Sequence, residues 1–155
     1  MNVCSFIIMK TYKGQLNKLE PHQVFVFGSN PEGRHGKGAA LIAKKYFGAR
    51  YGQAEGLMGQ SYGIITKDLR KKKHPSIPTK DIKASIKVLY DFANKNPDKE
   101  FFIAYSGKGK LLSGFTPQQM ADMFYNADKG WIPKNIVFEE SFYLLVRGNQ
   151  ITSIF

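Results

Sequence analysis

Apolar runs alternate along the chain with segments whose apolar residues recur at helical spacing. Residues 24–27 are Val-Phe-Val-Phe, and residues 101–105 are Phe-Phe-Ile-Ala-Tyr. Such runs are typical of strands buried on both faces, as in a parallel sheet. Shorter runs predict further strands over residues 3–9, 61–66, 136–138 and 143–146, and a hairpin at residues 147–150 that leads to a last strand ending in Phe155.

Three segments have the spacing of helices. Apolar residues recur every three or four positions over residues 39–47 and again over residues 82–93. The third helix is predicted from a capping box, in which Thr116 caps, Pro117 takes the first helical position and Gln119 reaches back. Each of these segments follows a predicted strand and its loop.

This alternation predicts an α/β fold with a largely parallel central sheet. The strands over residues 24–27 and 101–105 each end in a glycine-rich loop. Because ligands of open α/β sheets bind outside the carboxyl ends of the strands, we expect both loops to line one cleft. The 155 residues contain no repeat and no low-complexity linker, so a single domain over residues 1–155 is expected.

Charge indicates the kind of partner. The chain has 23 Lys and Arg against 12 Asp and Glu, a formal net charge of +11. An excess of this size favours an anionic partner such as a nucleotide, a nucleic acid or a membrane surface. A solvated basic surface without a partner is the alternative.

The remaining composition excludes several classes of protein. The single Cys4 excludes an internal disulfide and a cysteine-based metal cluster, and no spacing of His or acidic residues indicates a metal site. Neither a metal nor another cofactor is expected. No apolar run reaches the roughly 18 residues of a membrane helix, and the first residues lack the basic region and cleavage site of a signal peptide. We therefore expect a cytoplasmic protein without a membrane partner.

The loop at residues 28–38 carries the first candidate chemistry. Its glycines let backbone amides approach a phosphate, and the helix that follows adds a positive dipole. Asn30 stands where the strand opens, and its amide can both donate to and accept from a sugar hydroxyl. Arg34 and Lys37 add cationic donors. His35 is open to three interpretations, namely a general acid or base, a phosphate donor, or a loop histidine without a role.

The loop at residues 106–114 has the same character. It contains three glycines, Gly107, Gly109 and Gly114, and two lysines, Lys108 and Lys110, which add positive charge. Alone, such a loop can be a flexible turn. Two such loops at equivalent strand ends favour a shared phosphorylated ligand.

In this order, the two loops resemble a macrodomain. That family has a strand ending in Asn-Ala-Ala-Asn, a glycine-rich segment that opens a helix, and a later Gly-x-Gly-x-x-Gly-like loop before a proline. Residues 28–30, 36–40 and 107–117 stand at the matching places, and the likeness covers most of residues 14–146. The chain most resembles a divergent branch of the family, which is common in bacteria and their phages. The sequence pattern of that branch is Phe-Gly-Ser-Asn, Gly-Arg-His-Gly, Gly-Gln-Ser-Tyr and Gly-Phe-Thr-Pro.

The resemblance implies a three-layer fold, with a mixed, mostly parallel sheet flanked by helices, that binds ADP-ribose or a related nucleotide diphosphate sugar. Some macrodomains also cleave ADP-ribosyl bonds or remove the terminal phosphate of ADP-ribose phosphate, so hydrolysis is an open question here. Asn30 would meet the distal ribose and, with His35, is the catalytic candidate. The ligand-binding candidates are Gly28, Ser29, Asn30, Arg34, Gly36, Lys37, Gly38, Ser106, Gly107, Lys108, Gly109 and Lys110.

One departure from the family concerns the base. The acidic residue that reads adenine is missing, and Gln15 follows Gly14 near its place. Gln15 can still address adenine, so it joins the ligand-binding candidates.

A dense basic run gives the competing hypothesis. It consists of Lys67, Arg70, Lys71, Lys72 and Lys73, with Asp68 among them. Clusters of this kind bind nucleic-acid backbones through charge and counterion release, although many are simply solvated. The alternative function is therefore a nucleic-acid-binding module that uses this surface.

Overall fold

A computed structural model describes the backbone of residues 9–154 and the side chains of residues 9–149. The strands are β1 (Thr11–Tyr12), β2 (Gln23–Ser29), β3 (Gly56–Met58), β4 (Ser61–Ile65), β5 (Glu100–Ile103) and β6 (Ile136–Glu139). The helices are α1 (Gly38–Tyr46), α2 (Thr79–Lys95), α3 (Pro117–Asn126) and α4 (Glu140–Ile154). The strand predicted over residues 3–9 lies outside the described residues, apart from Met9.

The described strands form one mixed sheet in the order β1-β6-β5-β2-β4-β3. All neighbours are parallel except β3, which pairs antiparallel with β4 at the edge. Phe25 of β2 lies opposite Ser61 of β4 and Phe102 of β5, so β2 is central. The carboxyl ends of β2, β4 and β5 consequently meet at one edge of the sheet.

The residues of β2 alternate between two cores. Val24 and Val26 pack with the apolar faces of α2, α3 and α4, whereas Phe25 and Phe27 pack with α1 on the other face of the sheet. Side chains of successive strand residues point to opposite faces, so a continuously apolar strand requires helices on both sides. The three-layer α/β fold, with a mixed and mostly parallel sheet, is confirmed.

The end of the chain differs from the prediction. The strand over residues 143–146, the hairpin over residues 147–150 and the strand ending at Phe155 are wrong for the described residues, which form α4. Phe142 and Val146, four positions apart, are fully buried, and the Phe142 ring lies 5.8 Å from the rings of Phe124 and Phe138. Packing against α3 and β6 has overridden the β propensity of these residues.

None of the helices within residues 9–154 is long and apolar enough to cross a membrane.

Candidate functional site

A cavity of about 450 Å³ opens at the edge of the sheet where β2, β4 and β5 end. Its wall takes residues from three segments, namely the glycine-rich loop after β2 with the start of α1, the connection after β4, and the loop after β5. A volume of this size is within the range of small-molecule sites. The cleft therefore lies where the sequence places it.

The floor of the cavity is lined with hydroxyl groups from three adjacent strand ends. Ser29 is the last residue of β2, Thr66 follows β4 and Tyr105 follows β5, and all three line the cavity. A Cβ at Gly28 would lie 2.6 Å from the Tyr105 hydroxyl and 2.8 Å from Thr66 Oγ1, so a larger residue here would displace these side chains. Burial raises the pKa of Tyr105 to about 12, and the Thr66 hydroxyl opposes that shift. The phenol therefore keeps its proton at neutral pH.

The first turn of α1 forms one side of the cavity. Gly38, Ala39 and Ala40 line it, and their amides are among those that have no carbonyl partner within the helix. Lys37 at the N-cap is extended, with φ −145° and ψ 156°, and gives no side-chain cap. The first turn also has no acidic residue. The amides and the positive end of the helix dipole therefore stay available to an anion.

Cationic side chains surround this turn. Arg34, Lys37, Lys67 and Lys110 line the cavity, and none of the described residues in its lining is acidic. The four come from three different chain segments, so the positive potential belongs to the fold rather than to one loop. An anionic ligand would be attracted from every side.

Apolar side chains complete the mouth. Leu69 lies on the connection after β4, and Leu112 lies on the loop after β5. They are 41% and 56% exposed, so the mouth offers apolar as well as polar contacts.

The connection after β4 is held to both other segments. The Arg70 guanidinium donates to both carboxylate oxygens of Asp68, at 2.9 and 3.0 Å, and its Nε lies 3.4 Å from Glu32 of the glycine-rich loop. Gly114 packs against His74, where a Cβ would lie 2.7 Å from the backbone carbon. The three segments of the wall are therefore joined to each other.

Asn30 holds the shape of the glycine-rich loop. Its Oδ1 accepts from the Arg34 amide at 2.8 Å, and its Nδ2 donates to the Arg34 carbonyl at 2.7 Å. Asn30 also lines the cavity and is buried. Its amide retains one hydrogen and one lone pair for a ligand after these two bonds.

His35 lies under the loop and outside the cavity lining. Its Nε2 lies 2.9 Å from the Arg50 carbonyl oxygen and 3.1 Å from that of Gln53, so this nitrogen must carry the proton. The ring is 2% exposed and meets Phe27 edge-on. This environment gives His35 a structural part in the loop, and we base no catalytic step on it.

The predicted residues fall into two groups. The cavity is lined by Gly28, Ser29, Asn30, Arg34, Gly36, Lys37, Gly38 and Lys110. The lining does not include Gln15, His35, Ser106, Gly107, Lys108 and Gly109.

Several members of the second group are engaged or placed elsewhere. The Gly107 amide donates to Ser141 Oγ at 2.9 Å, so it is committed to the start of α4. Ser106 Oγ accepts from the Lys108 amide, and Gln15 is exposed on a separate segment. The later half of this loop, residues 110–113, lines the cavity in place of residues 106–109.

Sequence reasoning did not single out Thr66, Tyr105, Leu69 or Leu112 as site residues. The rule that selected the ends of β2 and β5 applies equally to β4, and would have selected Thr66. The same rule, that ligands bind at the carboxyl ends of the strands, also applies to Tyr105, which directly precedes the loop at residues 106–114. The two leucines had no such signal, because an apolar residue in a loop does not reveal which way it faces.

Comparison with known proteins gives information about the fold only. No protein-family model matches the chain, and no curated protein does. Among solved structures, the chain is similar to alphavirus P23pro-zbd, with a TM-score of 0.61 and 14% identity. The match covers 94% of this chain and 24% of that one, so the chain spans about a quarter of the viral protein. At this identity the likeness concerns the α/β fold alone and assigns no family.

Proposed function

We propose that the cavity binds ADP-ribose or a related nucleotide diphosphate sugar. The observation that carries this proposal is the start of α1, an uncapped helix N-terminus without an acidic residue that opens into a cavity lined by four cationic side chains. Backbone amides and a helix dipole are the usual means of holding a phosphate group. The macrodomain-like fold supports the same ligand class by analogy.

The lining suggests how such a ligand lies. The diphosphate meets the amides of Gly38 and Ala39, with Arg34 and Lys110 as counter-charges. The hydroxyl floor and Asn30 suit the ribose groups, because hydroxyls and amides both donate and accept. The base is expected at the exposed leucines of the mouth.

Hydrolysis of an ADP-ribosyl derivative or of ADP-ribose phosphate is the enzymatic part of the proposal. It needs a water placed beside the distal ribose or the terminal phosphate, and Asn30 is the candidate to orient it. Misplacement by about 1 Å can cost roughly a hundredfold in rate, so a rigid holder is required. The two bonds between Asn30 and Arg34 fix the amide in this way.

Calorimetry tests the binding part directly. Wild-type protein is titrated with ADP-ribose, AMP and a short single-stranded DNA, each at two salt concentrations. ADP-ribose is expected to bind more tightly than AMP, because AMP has a single phosphate for the same amides. Equal or absent binding of both nucleotides would contradict the proposal. Product analysis with an ADP-ribosylated substrate and with ADP-ribose phosphate then decides whether turnover accompanies binding.

A second candidate function is nucleic-acid binding through the basic run. Lys71, Lys72 and Lys73 are exposed, and none has an ion pair within 4 Å among the described residues. The DNA titration measures this function. Binding of DNA with a steep salt dependence, together with no binding of ADP-ribose, would favour it over the first.

A further inference from the structure

The basic run begins inside the cavity. Lys67 and Leu69 belong to the cavity lining, and Lys71, Lys72 and Lys73 follow within four residues of Leu69. Positive charge thus extends along the chain from Lys67 in the cavity lining to the three exposed lysines that follow Arg70. The cavity and the run can therefore serve one ligand.

The connection that carries the lysines is fixed in place. Arg70 is engaged by Asp68 and Glu32, so its charge is already compensated. The Asp68 amide donates to Ser76 Oγ at 2.8 Å, and the Lys71 amide donates to the Asp68 carbonyl at 3.1 Å. A held turn with exposed lysines loses less conformational entropy on binding than a flexible tail would.

We propose that the ligand is a nucleotide group at the end of a single-stranded nucleic acid. The terminal group enters the cavity, and the phosphates that follow it contact Lys71, Lys72 and Lys73. This inference rests on the proposed function, because it takes the cavity to be a nucleotide-phosphate site. A duplex end is too wide for a cavity of about 450 Å³, whereas one unpaired nucleotide is of suitable size.

A short thymidine oligonucleotide with a label at its 3′ end tests the proposal by fluorescence anisotropy. One form carries a 5′-phosphate and the other a 5′-hydroxyl. The phosphorylated strand is expected to bind about tenfold more tightly than the hydroxyl form, because a charged hydrogen bond to the terminal group is lost in the latter. Unlabelled ADP-ribose is expected to displace the phosphorylated strand.

Matched charge removals locate the contact. Lys71→Gln/Lys72→Gln removes two charges beside the cavity, and Lys44→Gln/Lys45→Gln removes two exposed charges at the far end of α1. The first variant should bind the phosphorylated oligonucleotide roughly tenfold more weakly. The slope of log affinity against log salt concentration should fall by about 1.4 in magnitude, since each phosphate contact contributes about 0.7. The second should change neither. Free ADP-ribose should bind both variants within about twofold of wild type.

The outcomes separate the two proposals. If ADP-ribose binds but does not displace the strand, or if both strands bind equally, the basic run is a separate site and this inference is overturned while the proposed function stands. Equal salt slopes for the two variants would also overturn it. If ADP-ribose does not bind to wild type, the proposed function fails and this inference fails with it.

Discussion

The N-termini of α1 and α3 solve the same physical problem in opposite ways. In α3, Thr116 Oγ1 accepts from the Gln119 amide at 3.1 Å, and Gln119 Oε1 accepts from the Thr116 amide at 2.9 Å. Pro117 at the first position has no amide hydrogen to satisfy. In α1, the N-cap is Lys37, which gives no side-chain bond. One helix is closed by its own side chains, and the other opens into the cavity.

Each of the other two helices has an acidic residue at its start. Helix α2 has Asp81 in its first turn, and in α4 the Glu139 carboxylate accepts from the Phe142 amide at 3.0 Å. Burial alone would raise the pKa of Glu139, but hydrogen bonds led by that from Ser141 lower it overall, as expected of a carboxylate that serves as a cap. Among the described helices, α1 alone has neither a side-chain cap nor an acid in its first turn. A missing cap costs about 1 kcal/mol, which a bound phosphate would offset.

The largest expected effect comes from giving α1 the acid that it lacks. Ala39→Asp places a carboxylate at the second helical position, inside the cavity lining. Like charges brought together cost several kcal/mol, so ADP-ribose should bind more than about 100-fold more weakly. The same carboxylate favours the helix dipole and should raise the melting temperature by about 1–3 °C. Calorimetry and a thermal melt on one preparation measure both.

Ala39→Asn is the matched control, because it has nearly the same shape without the charge. It should weaken binding by less than about tenfold, since an amide does not repel the phosphate. Equal losses for Asp and Asn would mean that crowding, rather than charge, excludes the ligand. The anion-binding role of this helix would then have no support.

The next effect concerns the tether that leads into α1. Asn30→Ala removes both bonds to Arg34, at a cost of about 1–3 kcal/mol, and should lower the melting temperature by about 5 °C. ADP-ribose affinity should fall about tenfold because the loop in front of α1 loses its shape. Asn30→Asp keeps the acceptor for the Arg34 amide, so its melting temperature should lie between those of wild type and Asn30→Ala. Unchanged stability with lost affinity would show that Asn30 acts on the ligand alone.

A smaller effect is expected at α3, where the cap has no part in the site. Thr116→Ala removes one half of the capping box and should cost about 1 kcal/mol, or about 2–4 °C in melting temperature. Affinity for ADP-ribose should remain within about twofold of wild type. A matching loss of affinity would mean that α3 and the cavity are coupled, and the contrast between the two helices would be weaker than the structure indicates.

Much of the fold could be predicted because its signals are local. The apolar run around Val26, the helical spacing after Gly38 and the capping box at Thr116 each fix one element, and all three are confirmed. The end of the chain could not be predicted in this way. Residues 143–146 have strand propensity, and packing of this segment against α3 and β6 overrides it.

The site was predictable to the extent that topology determines it. The carboxyl ends of β2 and β5 directed attention to the loops after them, and Asn30 and Lys110 do line the cavity. Which amides of a loop stay free depends on distant partners. Ser141, 34 residues along the chain, takes the Gly107 amide, and no spacing in the sequence indicates this.

The smallest expected effect is at Asp68, a carboxylate in the connection after β4 that accepts hydrogen bonds from protein donors, as the caps of α3 and α4 do. Its Oδ1 accepts from the Arg70 amide at 3.0 Å, and hydrogen bonds from the Arg70 side chain, with this one, lower the pKa of Asp68. A lowered pKa stabilises the fold at pH values above the ordinary aspartate value of about 3.9, and the contribution is lost as the pH falls through the lowered pKa.

Asp68→Asn should therefore lower the melting temperature only slightly at pH 7, by about 1 °C, since Arg70 is exposed and the pair is screened by water. As the pH falls below the ordinary aspartate value and through the lowered pKa, Asp68 is protonated first in the unfolded chain and then in the folded protein, so the difference between wild type and variant should shrink. Asp98→Asn, at an exposed aspartate, is the control and should show no such pH dependence. Thermal melts at pH 7 and pH 3 measure the difference. If the difference in melting temperature between wild type and Asp68→Asn were larger at pH 3 than at pH 7, the lowered pKa of Asp68 would be contradicted. Asp68 would then differ from Glu139, the cap of α4, whose pKa is also lowered.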